Sequence, residues 1–199
     1  MAPALASVYA AWTDHLDGLE PERLGRPSRA SAWTVKELLF HQLLDARRAL
    51  VAAATPATTA PDVDHVSYWR PFRPDLRDGG AGHARFVVAG AGPYSDELLV
   101  EEWRETSAAA VRAMSHPAVA VVSTQGHALT IESFRSTLVV EATVHLLDAH
   151  GTPPADALQH TVEVLARLRG RPLPADDADE VLRATGRLPS GEPDYPLLG

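Results

Sequence analysis

The sequence predicts a mainly α-helical protein, a four-helix bundle with a small β-hairpin and extra C-terminal helices, organised as one domain over 1–199. Three observations predict it. Apolar residues recur at three- and four-residue spacing in four long stretches, the pattern of a helix with one buried face. Thr34 and Glu37 form a capping-box pattern that fixes the start of one of those helices. Gln125-Gly126, set between two short runs rich in β-branched and apolar residues, marks a hairpin.

Leu5, Val8, Tyr9, Trp12 and Leu16 define a first helix over 3–18, ended by Gly18 and Pro21. Residues 19–32 hold Pro21, Gly25 and Pro27 and read as a loop leading into Trp33. The capped second helix runs to about Ala53 with Val35, Leu38, Leu39, Leu43, Leu50 and Ala53 on its apolar face. His41, three residues from both Leu38 and Leu44, can face the core with them. From 55 to 80 the chain is rich in Pro, Thr, Asp and Gly, with Tyr68, Trp69 and Phe72 set among Arg70, Arg73 and Arg77. This segment reads either as a lid over a cleft or as a loop that its aromatics pin to the bundle.

A short helix over 82–90 is interrupted by Gly90, Gly92 and Pro93. The Gly-Ala-Gly there lacks a third glycine and a lysine, so it is a turn and not a phosphate loop. The third main helix runs from Ser95 to Met114, supported by Leu98, Leu99, Trp103, Ala110 and Val111. The hairpin over 118–131 is expected to be peripheral. The fourth main helix starts at Thr130 to Glu132 and ends near Gly151 and Pro153. Helices over 155–169 and 178–184 follow, and the Pro-rich tail is expected to lie extended on the surface.

Composition narrows the function. The chain has 199 residues, 45% of them hydrophobic, and a net charge of −8. Arginine is nowhere concentrated into the basic stripe that nucleic acid or an anionic membrane requires, so both are disfavoured as partners. With no charged-then-apolar leader and no run of roughly 18–20 apolar residues, the protein reads as cytoplasmic. There is no cysteine, which removes disulfides, thiolate ligands and a cysteine nucleophile; a thiol in the chemistry must arrive from outside.

The chemistry concentrates in 138–148. On a helix, Glu141 and His145 lie above one another, with Asp148 one turn further along the same stripe. Val139, Val140, Val144, Leu146 and Leu147 leave no polar face for them to share, so the carboxylate and imidazole point inward. Burying such groups without partners costs about 2–7 kcal/mol for a neutral one and more for a charge. His41 offers a third donor from a neighbouring helix. Two histidines and one carboxylate hold zinc with an open fourth position, or iron(II) in a facial triad, and nickel also fits. Asp148 can hold an imidazole from behind. The same spacing also serves a hydrogen-bonded core histidine, or an exposed pair worth ~0.2–0.5 kcal/mol. His15, His65, His83, His116, His127, His150 and His160 are expected in exposed or loop positions, and His150 lies about 140° around the helix from His145.

Ser31–His41 (SAWTVKELLFH) resembles the GWTVxDLxxH segment, and Glu141–Asp148 (EATVHLLD) the ExxVHxxD segment, of the DinB-like, mycothiol-dependent maleylpyruvate isomerase superfamily. Ala184–Pro189 (ATGRLP) resembles a segment of its small actinobacterial members. The resemblance implies a DinB-type bundle and a divalent metal, usually zinc, held by His41, Glu141 and His145. It also implies mycothiol as exogenous thiol, adding to a conjugated double bond and leaving after rotation, or staying on in thiol S-transferases. Tyr68, Trp69, Arg70 and Arg73 are then candidates to meet a small-molecule substrate, an arginine gripping a carboxylate. The isomerase has a further C-terminal domain, whereas this chain closes soon after its fifth helix; the expectation is therefore the broad class of thiol transferase or isomerase. Metal-assisted hydrolysis and a non-catalytic metal- or ligand-binding module are the alternatives, and a homodimer is compatible with either.

Overall fold

The structure is a computed structural model describing residues 2–19, 24–30, 33–71 and 81–198. Ser31, Ala32, Phe72, Arg73 and Arg77 lie outside the described residues. Among those described, the helices are α1 (Ala2–Asp17), α2 (Val35–Ala53), α3 (Ala81–Ala91), α4 (Asp96–Ser115), α5 (Ile131–Asp148), α6 (Ala155–Arg169) and α7 (Ala178–Ala184), with strands β1 (Val121–Thr124) and β2 (His127–Thr130) between α4 and α5. The protein is thus mainly helical with one two-stranded antiparallel sheet.

Helices α1, α4, α2 and α5 pack in a ring, each touching the next, and α6 and α7 cover the outer side of α5. Among the described residues, the buried apolar side chains other than Val66 and Ala128 form one continuous cluster. Trp12 and Trp103, both fully buried, pack in its middle, and the Trp12 Nε1–H donates to the Ala142 carbonyl across the bundle at 2.9 Å. Lys36–Asp96 at 2.9 Å and Arg47–Glu102 at 2.7 Å tie α2 to α4 along their outer edge.

The helix starts follow from short-range chemistry. The Glu37 carboxylate accepts from the Thr34 backbone N–H at 2.6 Å, closing the predicted capping box. The Ser95 hydroxyl accepts from the Leu98 amide at the start of α4, and the Thr130 hydroxyl from the Ser133 amide at the start of α5. Helix α5 is the central element: of its 18 residues, all but Glu132 and Glu141 are buried. Such a helix has no solvent side, so every polar group on it must find a partner inside.

Two expectations are overturned. The hairpin is not peripheral. Its Gln125-Gly126 turn has φ +49° and +80°, the positive pair that a type I′ turn requires, and Val122 and Leu129 are fully buried against α2 and α5. The segment after α2 pairs onto its outer edge, Ala57 donating to Val121 and Ser123 to Thr55. The C-terminal tail also does more than lie on the surface. Tyr195 donates to the buried Glu180 at 2.6 Å, the Leu197 amide to Ala184 at 2.7 Å, and Leu198 is buried. A few apolar residues near the end of the chain, read by composition, look like surface; packed against α7 they complete a core.

Candidate metal centre

His41 on α2 and Glu141 and His145 on α5 meet between their helices, with one potential ligand atom from each lying within 4.8 Å of the others. The rings of His41 and His145 approach edge to face, centroids 4.9 Å apart, and His145 Nε2 lies 3.2 Å from Glu141 Oε2. On its other side His145 Nδ1 is 3.0 Å from Asp148 Oδ2. Asp148, fully buried, also receives the Arg187 guanidinium, Nε to Oδ1 at 3.2 Å and Nη2 to Oδ2 at 3.2 Å.

The donor set fits a divalent metal. His41 Nδ1 is buried with no hydrogen-bond partner among the described residues, which costs about 1–3 kcal/mol unless something else engages it. Two imidazole nitrogens and a carboxylate are the ligands zinc, iron(II) and nickel accept, and Asp148 behind His145 is the outer carboxylate such sites use to fix a ring. For His41 and Glu141 the electrostatics agree, whereas His145 must give up a proton to ligate. Burial, then the neighbouring His145, lowers the His41 pKa to about 3, so its ring is neutral and able to ligate at neutral pH. Burial opposes the charge of Glu141, but the hydrogen bond and charge of His145, with His41 and Arg48 behind it, outweigh that and hold Glu141 well below the usual carboxylate range. Burial likewise opposes a charge on His145, and Asp148 and Glu141 overcome it, raising the ring to about 9 in the metal-free protein.

The three side chains open onto a cavity of about 140 Å³, walled by Trp33, Trp69, Val140, Val144, His83, Arg187 and Leu198. Trp33 lies over His41 with ring centroids 5.1 Å apart. It is placed by a small loop in which Ser28 and Val35 donate to Trp33 and Arg26 carbonyls, while the Arg29 amide donates to the Asp148 carbonyl at the end of α5. The lining thus sets three histidines, Glu141 and Arg187 among mostly apolar walls.

Of the residues expected to meet substrate, Trp69 lines the cavity and is buried. Tyr68 is buried beside it, its hydroxyl donating to Gln125 of the hairpin and accepting from Arg48 Nη1 at 3.2 Å. Arg70 is exposed and not in the cavity wall, and Arg73 lies outside the described residues. Within 55–71 the aromatics therefore pack into the body of the protein.

His83 is exposed, as expected, but it stands on α3 with its ring 5.3 Å from His41 and 5.6 Å from Trp33, which places it beside the site. Its signal was present in the periodicity: His83, Val87 and Ala91 recur every four residues, and Val87 and Ala91 are buried. Arg187 and Leu198 had no such signal, because nothing local shows that the chain turns back onto α5. Of the other histidines, His15 bonds to Ala149, His65 to Arg167, His127 to Asp62, His150 to Pro27 and His160 to Ser136.

Fold and site together define a helical bundle of DinB type with a candidate His/Glu/His metal centre. The family description "Mycothiol maleylpyruvate isomerase N-terminal domain" matches residues 5–150, and the chain belongs to that family. Comparison with curated proteins and with solved structures gave no match. Among the described residues, no helix is long and apolar enough to cross a membrane.

Proposed function

We propose that this chain works as a single-domain, zinc-dependent enzyme that uses an exogenous low-molecular-weight thiol of the mycothiol type, either transferring it to a small electrophile or using it to isomerise one. The observation that carries the reading is the convergence of His41, Glu141 and His145 at the floor of a mostly apolar cavity. Family membership and a sequence without cysteine support a thiol brought from outside. We place the reaction in the cytoplasm, where thiols are kept reduced.

His41, Glu141 and His145 would hold the ion. When bound, it supplies positive charge that lowers the pKa of an adjacent thiol and polarises a carbonyl. The chain's own part is positional. Asp148 holds the Nδ1 side of His145, so Nε2 faces Glu141 and the site. Trp33, Trp69, Val140 and Val144 exclude water from one side of the cavity, which strengthens electrostatic interactions within it. A flat conjugated electrophile suits two indole walls.

The test is to incubate the zinc-loaded protein with a low-molecular-weight thiol and a panel of conjugated electrophiles. Thiol-dependent consumption, lost in His41→Ala, is the expected result. Product formed equally without thiol would replace the reading with metal-assisted hydrolysis, and no product with any thiol would leave a binding module.

A further inference from the structure

The family match ends at residue 150, yet the cavity is not complete there. After α7 the chain reverses at Gly186, φ +77°, and the Arg187 amide donates to the Leu182 carbonyl at 2.7 Å. The reversal aims Arg187 back at the end of α5. Its fork meets both oxygens of Asp148, and Nη1 donates to the Thr185 carbonyl at 2.5 Å, so the guanidinium is fixed at both ends. The following tail is built in just as firmly: the Arg169 guanidinium pairs with Asp194 at 2.8 Å and sits over the Tyr195 ring at 4.8 Å. That clamp delivers Leu198 to the same cavity wall.

We infer that Arg187, supplied by the stretch beyond the family domain, is a positioning residue that sets the candidate ligand His145 through Asp148. Asp148 is fully buried and stands between an imidazole and a guanidinium. With both of its oxygens engaged by the fork, its remaining direction is toward His145 Nδ1. That contact favours a hydrogen on Nδ1 and leaves Nε2 as the ring nitrogen that faces Glu141. Without Arg187 the carboxylate is a buried charge missing one partner and loses the geometry that aims it.

The inference rests on the triad being a metal site, and one titration separates the two. Zinc affinity is measured by competition with a chromophoric chelator for wild type, Arg187→Gln, Arg187→Lys, Asp148→Asn and the Arg187→Gln/Asp148→Asn double variant, with folding checked by circular dichroism. Arg187→Gln is expected to bind about 10–100-fold more weakly, the usual effect of losing an outer partner. Lysine, which keeps the charge and loses the fork, should fall between it and wild type. The double variant should bind much as Asp148→Asn does, because Arg187 acts only through that carboxylate. Wild-type affinity in folded Arg187→Gln, even with a lowered melting temperature, would overturn the inference, as would losses that multiply in the double variant. If the glutamine variant does not fold, Arg187→Lys decides: unchanged affinity overturns the inference. A wild type that takes up no zinc would instead sink the metal reading itself.

Discussion

His145 is the most heavily partnered of the three candidate ligands, because two carboxylates, Glu141 and Asp148, meet on one ring. Its pKa is raised from 6.5 to about 9 in the metal-free protein: burial opposes the charge, and Asp148 and Glu141 outweigh it. A metal must displace that proton, so zinc affinity should rise by about tenfold per pH unit from neutral pH and level off near pH 9. Titrations at several pH values check this, and a flat profile would show that His145 is already neutral. The sign for folding is opposite. A raised pKa stabilises the metal-free fold fully below pH 6.5, and the contribution is lost as pH rises through about 9. Melting curves in chelator should therefore lose stability over that window, and His145→Gln should flatten the loss. At the same site, Glu141→Gln removes the one anionic ligand; it should weaken metal retention while the helical circular dichroism signal persists.

Helix α3 owes its position to Gly90. A Cβ there would come within 2.5 Å of the buried Phe40 ring on α2, so α3 lies as close to α2 as a missing side chain permits. Gly90→Ala should destabilise the protein by about 1–3 kcal/mol. It should also push α3 outward, loosening His83 against His41; chemical denaturation and the His83 imidazole resonances read the two effects separately. The elements were legible to different degrees. The bundle helices, the capping box and the hairpin turn announce themselves by local spacing, and the long apolar run of α5 showed that Glu141 and His145 point inward. What local spacing cannot show is which elements meet. His83 and Trp33 join the site only because α3 and the loop before α2 dock beside His41. Arg187 and Leu198 join it through a reversal near the end of the chain. Tyr68 and Trp69 were visible as aromatics out of place in a polar loop; their burial depends on the hairpin that anchors that loop.

In the whole molecule the site joins two helices of the ring, α2 and α5, and its outer wall comes from the C-terminal stretch. An ion bound there would link α2 to α5 and bind only the folded state. Free zinc at about a hundredfold its dissociation constant should add about 2.7 kcal/mol of stability, raising the melting temperature of a chain this size by roughly 5–10 °C. The rise should vanish in His41→Ala. Resemblance carried the reading from a buried polar pair to a metal centre, since two ligands one turn apart fix nothing about a third on another helix. The fold supplied that third distance. The most direct measurement is the metal content of protein purified without added metal, wild type beside His145→Ala. About one divalent ion per chain is expected in the wild type and close to none in the folded variant; equal content in the two, or none in either after zinc loading, would contradict a metal centre at this site.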